Sequence, residues 1–128
     1  TWQHTEILAN DERPVAPAPF TVGDALLRRP ELTGFVDVLV TAGRASGFVR
    51  VDNRGEVRDI DPSFGANAGI FVNPGFTTAD AGVSLRAFAS LEIFGRVTNL
   101  FDASYEEIFG FPALGRSVMV GVRVASSR

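Results

Sequence analysis

Cysteine is absent from the 128 residues, which excludes disulfides and thiolate metal sites. Lysine is absent too. All twelve basic residues are arginine, whose planar guanidinium suits pairing with carboxylates. His4 is the single histidine, so a transition-metal site built on imidazoles has no second ligand. The formal charge of −3 leaves no positive excess to neutralise phosphates, which argues against unaided nucleic-acid binding. No apolar run approaches the roughly 20 residues of a membrane helix, an absence that excludes helical spans and leaves membrane strands open. No Gly-x-Ser-x-Gly elbow or phosphate-binding loop occurs. The stretch from Gly110 to Gly115 carries Pro112 and no lysine, so turn geometry explains its glycines.

What the chain does have is alternation. In 118–124, valine stands at 118, 120, 122 and 124, with Met119, Gly121 and Arg123 between. Period two with β-branched residues on one side means a strand with one apolar face. The same reading along the chain predicts six antiparallel strands near residues 1–9, 31–42, 47–59, 76–87, 90–101 and 116–124, paired in chain order. Pro14, Pro17 and Pro19 make 10–24 a long loop. Residues 59–75 and 102–115 form two more, rich in glycine, proline and aromatics. The turns near 43–46 and 87–90 are short.

Connections therefore alternate long and short, which places all long loops at one end of an up-and-down sheet. Charged residues within strands keep to one parity. Val49, Val83, Leu91, Ile93, Val118, Val120 and Val122 are expected on the apolar face, and Arg50, Asp52, Glu92, Arg96 and Arg123 on the polar one. An apolar outer and polar inner face is the pattern of a transmembrane β-barrel. A soluble sandwich or barrel core accepts the same alternation.

Candidate functional residues are few. The ladder Arg50, Asp52, Arg54, Glu56 and Arg58 lines a polar lumen or forms a solvated face of offsetting charges. Glu106 and Glu107, with Asp102 nearby, are carboxylates on a loop without the defined separation that acid–base catalysis or a hard-cation site needs. The loop aromatics Phe64, Phe71, Phe109 and Phe111 are placed either to contact an external ligand or to pack loops together. No catalytic, cofactor-binding or metal residue is assigned.

Asn99-Leu100-Phe101-Asp102, Tyr105, Gly110-Phe111-Pro112 and the Gly115-Arg116 pair precede the last strand in an order and spacing that resemble the C-terminal end of TonB-dependent outer-membrane receptors. Leu26 to Pro30, Asn73 to Phe76 and Asp80 look like strand and loop boundaries of the same family. The resemblance implies an all-β chain in which residues 1–128 are the last six strands of a 22-stranded transmembrane barrel, because six strands cannot close one. It implies location in the bacterial outer membrane and uptake of a scarce nutrient of the siderophore, cobalamin or carbohydrate class. Its implied partners are outer-membrane lipid, a plug domain, the remaining barrel strands and the TonB complex, with no enzyme activity and no cofactor. The family usually ends on an aromatic residue, whereas this chain ends Val124-Ala125-Ser126-Ser127-Arg128. A soluble β-rich binding module is the alternative, and a small hydrolase using loop carboxylates a third reading.

Overall fold

The computed structural model describes residues 1–9, 22–60 and 70–125. These residues contain strands and turns and no helix. Five long strands form one antiparallel sheet: β1 (Thr33–Ala42), β2 (Ala45–Arg54), β5 (Phe76–Phe88), β6 (Leu91–Thr98) and β9 (Ser117–Val124), neighbours in chain order. Two short hairpins are built into the long connections. One pairs β3 (Val57–Ile60) with β4 (Ile70–Asn73), and the other pairs β7 (Glu106–Ile108) with β8 (Phe111–Pro112). The chain divides into two compact units. The first comprises Thr1–Gly34, Asn53–Phe76 and Tyr105–Ala113, and the second Phe35–Asp52, Thr77–Ser104 and Leu114–Arg128.

The all-β, chain-order antiparallel arrangement agrees with the expectation for five strands and corrects the sixth. Residues 1–9 form no strand and make only the isolated bridge between Trp2 and Leu32. Around that bridge residues 1–3 pair with 31–33, the Thr33 N–H going to the Thr1 carbonyl and the Gln3 N–H to the Glu31 carbonyl, both at 2.9 Å. The pairing does not continue, and the Ile7 N–H goes instead to the Asp24 carbonyl at 2.9 Å. The expected strand 47–59 is also two elements. It breaks at Gly55, whose N–H turns aside to the Leu32 carbonyl at 2.7 Å. Gly75 packs against this break so closely that a Cβ there would lie 2.5 Å from the Arg54 carbonyl oxygen. The five-stranded sheet is open, with β1 and β9 as its edges among the described residues.

The two tight turns join β1 to β2 and β5 to β6. Gly43 has φ 60° at the first position of a two-residue loop, where a primed hairpin turn requires a positive φ. The turn at Ala89 and Ser90 has no glycine. Beside it, a bulge between Arg86 and Phe88 shifts the register, so that Phe88 pairs with Leu91. A bulge adds local twist and re-aims side chains.

Register sorts the second unit into two faces, because directly opposed residues in an antiparallel ladder share a side. Val118 opposes Val97, which opposes Ala81; Val120 opposes Gly95, which opposes Val83; and Val122 opposes Ile93, which opposes Leu85. The next rows carry Met119, Arg96 and Gly82, then Arg123, Glu92 and Arg86. The parity read from the sequence is thus the parity of the sheet. Neither face acquires a core: Val83 is 68% exposed, Val118 69% and Val120 75%. In this unit the only buried apolar residue among those described is Ala79. Ile7 and Val57 form the small buried apolar core of the other unit.

Candidate functional site

Three ion pairs run across the polar face of the sheet. Arg50 reaches Asp37 at 2.6 Å, Arg96 reaches Asp80 at 2.8 Å, and Arg123 reaches Glu92 at 3.1 Å. Each guanidinium also lies over an aromatic ring, with Arg50 over Phe35, Arg96 over Phe48 and Arg123 over Phe94, at 5.7, 5.9 and 5.6 Å from the centroid. Two glycines make room for these rings. A Cβ on Gly82 would lie 2.4 Å from Phe48, and one on Gly121 would lie 2.5 Å from Phe94. Phe94 directly opposes Gly121, an arrangement in which the ring covers backbone that glycine leaves bare. Asp37, Leu39, Phe48, Arg50, Asp80 and Arg96 together bound a depression of about 390 Å³. The face is therefore polar yet closely matched in charge.

The charged ladder does not act as one unit. Arg50 belongs to the cross-strand pair above, while Arg54 lies over Phe76 and donates to the Glu107 carbonyl at 3.4 Å. Arg58 holds Asp24 with two contacts, at 2.9 and 3.1 Å. The hydrogen bond to Asp24 raises the Arg58 guanidinium pKa against a smaller lowering by desolvation. Charges offset one another across strands and loops rather than along the ladder.

At the far end of β6 the Asn99 to Asp102 turn folds into a knot. Asn99 and Asp102 have φ 49° and 55°, left-handed values that Asn and Asp tolerate because their short polar side chains bond locally. Asn99 is 5% exposed. Its side-chain oxygen accepts the Ala103 N–H at 2.9 Å, and its amide donates to the carbonyls of Ala103 and Leu114, at 2.9 and 3.4 Å. The Asp102 carboxylate accepts the Arg116 N–H at 2.7 Å. A Cβ on Gly115 would lie 2.9 Å from that same carboxylate oxygen. Asn99, Asp102, Gly115 and Arg116, singled out in the sequence as a spaced set, are one hydrogen-bonded structure.

In the first unit the long connections meet. Asn73, 5% exposed, donates its amide to the Glu106 carbonyl at 3.0 Å, joining the two short hairpins. Tyr105 stacks on Phe76 with centroids 4.0 Å apart. Asp59, 2% exposed, accepts Arg28 at 2.7 Å and the Ile60 N–H at 2.8 Å. Of the loop aromatics, Phe71 and Phe109 meet at 4.7 Å with rings tilted by 55°, which fits the packing role. Phe111 stands apart and is 71% exposed. Phe64 lies outside the described residues.

Two of the three loop carboxylates have structural partners. Glu106 accepts the Gly110 N–H at 2.8 Å, and Asp102 holds Arg116. His4 faces Glu31 at 3.7 Å, both largely exposed. Among the described residues no cluster of three or more His, Asp or Glu side chains is placed to hold a metal. Phe88 lies beyond the expected strand 76–87; continuing the alternation would set it on the polar side with Arg86, whereas the bulge sets it opposite Leu91.

The chain matches no family model, and comparison with curated proteins finds no match.

Proposed function

We propose that this chain is the C-terminal portion of a TonB-dependent receptor barrel in the bacterial outer membrane, serving uptake of a scarce nutrient. The observation that carries the reading is a single-layer sheet with one exposed, predominantly aliphatic face and an opposite face of arginine–carboxylate pairs. In water each exposed Val, Leu or Ile forfeits the roughly 1.5–3 kcal/mol that full burial provides. In a bilayer the acyl chains cover that face, and the polar face lines the lumen. The strands have 8 to 13 residues, around the roughly 9–11 that cross a bilayer when tilted.

The assignment to TonB-dependent receptors rests on the sequence resemblance, and the knot of Asn99, Asp102, Gly115 and Arg116 supports it by giving those motif residues a shared physical role. The open edges β1 and β9 are then continued by other strands of the parent barrel, since a bare edge in lipid leaves backbone groups unpaired. A plug domain and the segment engaging TonB belong to other parts of the parent chain.

The test uses the full-length parent protein in lipid vesicles. A fluorophore on a cysteine placed at Val120 is quenched by acyl-chain spin-labelled lipid, and one placed at Met119 is not. Equal quenching at both positions contradicts the membrane reading. Uptake of the nutrient in cells then depends on both this gene and the TonB complex, and uptake unaffected by loss of TonB removes the receptor assignment.

A further inference from the structure

Where the two tight turns come together, the apolar face ends in a rim of distinct chemistry. The Arg86 N–H donates to the Arg44 carbonyl at 2.8 Å, so the β1–β2 turn lies against the end of β5. Two residues on, the bulge places Phe88 opposite Leu91, which itself opposes Val124. Phe88 is 69% exposed at the last row of the aliphatic face. Among the described residues the charges at this end are Arg44 on the turn and, on the polar face, Arg86, Glu92 and Arg123. Glu92 is already held by Arg123, and the Arg44 side chain has no carboxylate partner among the described residues. Among the described residues Arg44 is therefore an uncompensated positive charge, in a chain that is negative overall.

Resting on the membrane reading above, we infer that this rim is a contact site for an anionic phospholipid headgroup, with Phe88 at the level of the interface and Arg44 as the cation. An aromatic ring at the end of an apolar strand face is suited to the headgroup boundary, where barrel proteins concentrate such rings. A long arginine on a turn tip reaches from that boundary toward phosphate, with its methylenes along the apolar surface. The Arg44 charge selects an anionic headgroup over a zwitterionic one. Arg86 and Arg123 flank Glu92 on the polar face and contribute field rather than contact.

The experiment places the full-length parent protein in phosphatidylcholine vesicles with and without phosphatidylglycerol, with a fluorophore on a cysteine introduced at Ser90. Headgroup spin-labelled phosphatidylglycerol quenches this probe in preference to headgroup-labelled phosphatidylcholine. Arg44→Gln lowers the preference on the order of fivefold, the factor expected for one arginine near the surface. Phe88→Trp retains it and Phe88→Ala reduces it. A probe at Val120, quenched by acyl-chain label, serves as the control for insertion. Equal quenching by the two headgroups at Ser90, with Val120 still quenched, overturns the headgroup site and leaves the membrane reading intact. Loss of quenching at Val120 overturns the membrane reading and this inference with it.

Discussion

Asp80 accepts the backbone N–H of Asn99 on one carboxylate oxygen at 3.1 Å, while its other oxygen holds Arg96 at 2.8 Å. A single side chain thus ties the polar-face ion pairs to the knot that closes β6. Leu100 is bound in the same place, its N–H donating to the Ala79 carbonyl at 2.7 Å.

Asn99→Ala in the full-length protein removes the amide that satisfies Ala103 and Leu114. A buried group left without a partner costs about 1–3 kcal/mol, and a left-handed alanine adds about 1–2 kcal/mol. Asn99→Gly loses the bonds but keeps the backbone conformation, so it destabilises less. Denaturant midpoints in detergent check the order, and a glycine variant weaker than the alanine variant contradicts this account.

Sidedness is tested by charge. Val120→Arg costs about 2–4 kcal/mol where that site lies near the bilayer midplane, whereas Met119→Arg joins the arginine-bearing face and is tolerated. Folding into vesicles, compared between the two variants, should separate them. Equal tolerance contradicts the assignment of faces.

Two glycines that sit under close neighbours should respond differently. At Gly75 a Cβ meets backbone, the Arg54 carbonyl oxygen at 2.5 Å and the Glu56 nitrogen at 2.9 Å, so Gly75→Ala must displace a strand end. At Gly121 it meets the Phe94 ring, which can rotate away at the expense of its contact with Arg123. Overpacking of this kind costs about 1–3 kcal/mol. Gly75→Ala is expected at the upper end, and Phe94→Leu should rescue Gly121→Ala. Unfolding in detergent measures both, and failure of the rescue rules out the ring as the obstacle.

Residues 1–128 alone, in aqueous buffer, are expected to aggregate. Among the described residues the edges β1 and β9 pair with no further long strand, and bare edges recruit other strands; the aliphatic face is exposed. Light scattering and heat-modifiable gel mobility, compared with the full-length protein in detergent, make the test. A monodisperse, water-soluble monomer with cooperative unfolding favours the soluble binding module instead.

Alternation was legible in the sequence because strand geometry sends successive side chains to opposite faces; once 118–124 is a strand, Val118, Val120 and Val122 must share a side. The turn at Gly43 was legible for a similar local reason. Tertiary structure decided what depends on residues far apart in the chain. It turned the expected strand at 1–9 into an irregular segment held by Glu31 and Asp24, and split 47–59 where the Gly55 N–H found Leu32. It also paired the end of that expected strand, Val57–Ile60, with Ile70–Asn73 from a stretch read as loop, and built a hairpin into the loop that precedes β9. Phe71 and Phe109 were recognisable as loop aromatics, but only folding brought them together and left Phe111 apart. The spacing of Asn99, Asp102, Gly115 and Arg116 marked them as a set, yet the sequence carried no sign that one carboxylate oxygen would meet the last two. The face of Phe88 was decided by a one-residue bulge, because inserting a residue into a ladder reverses the side of all that follows.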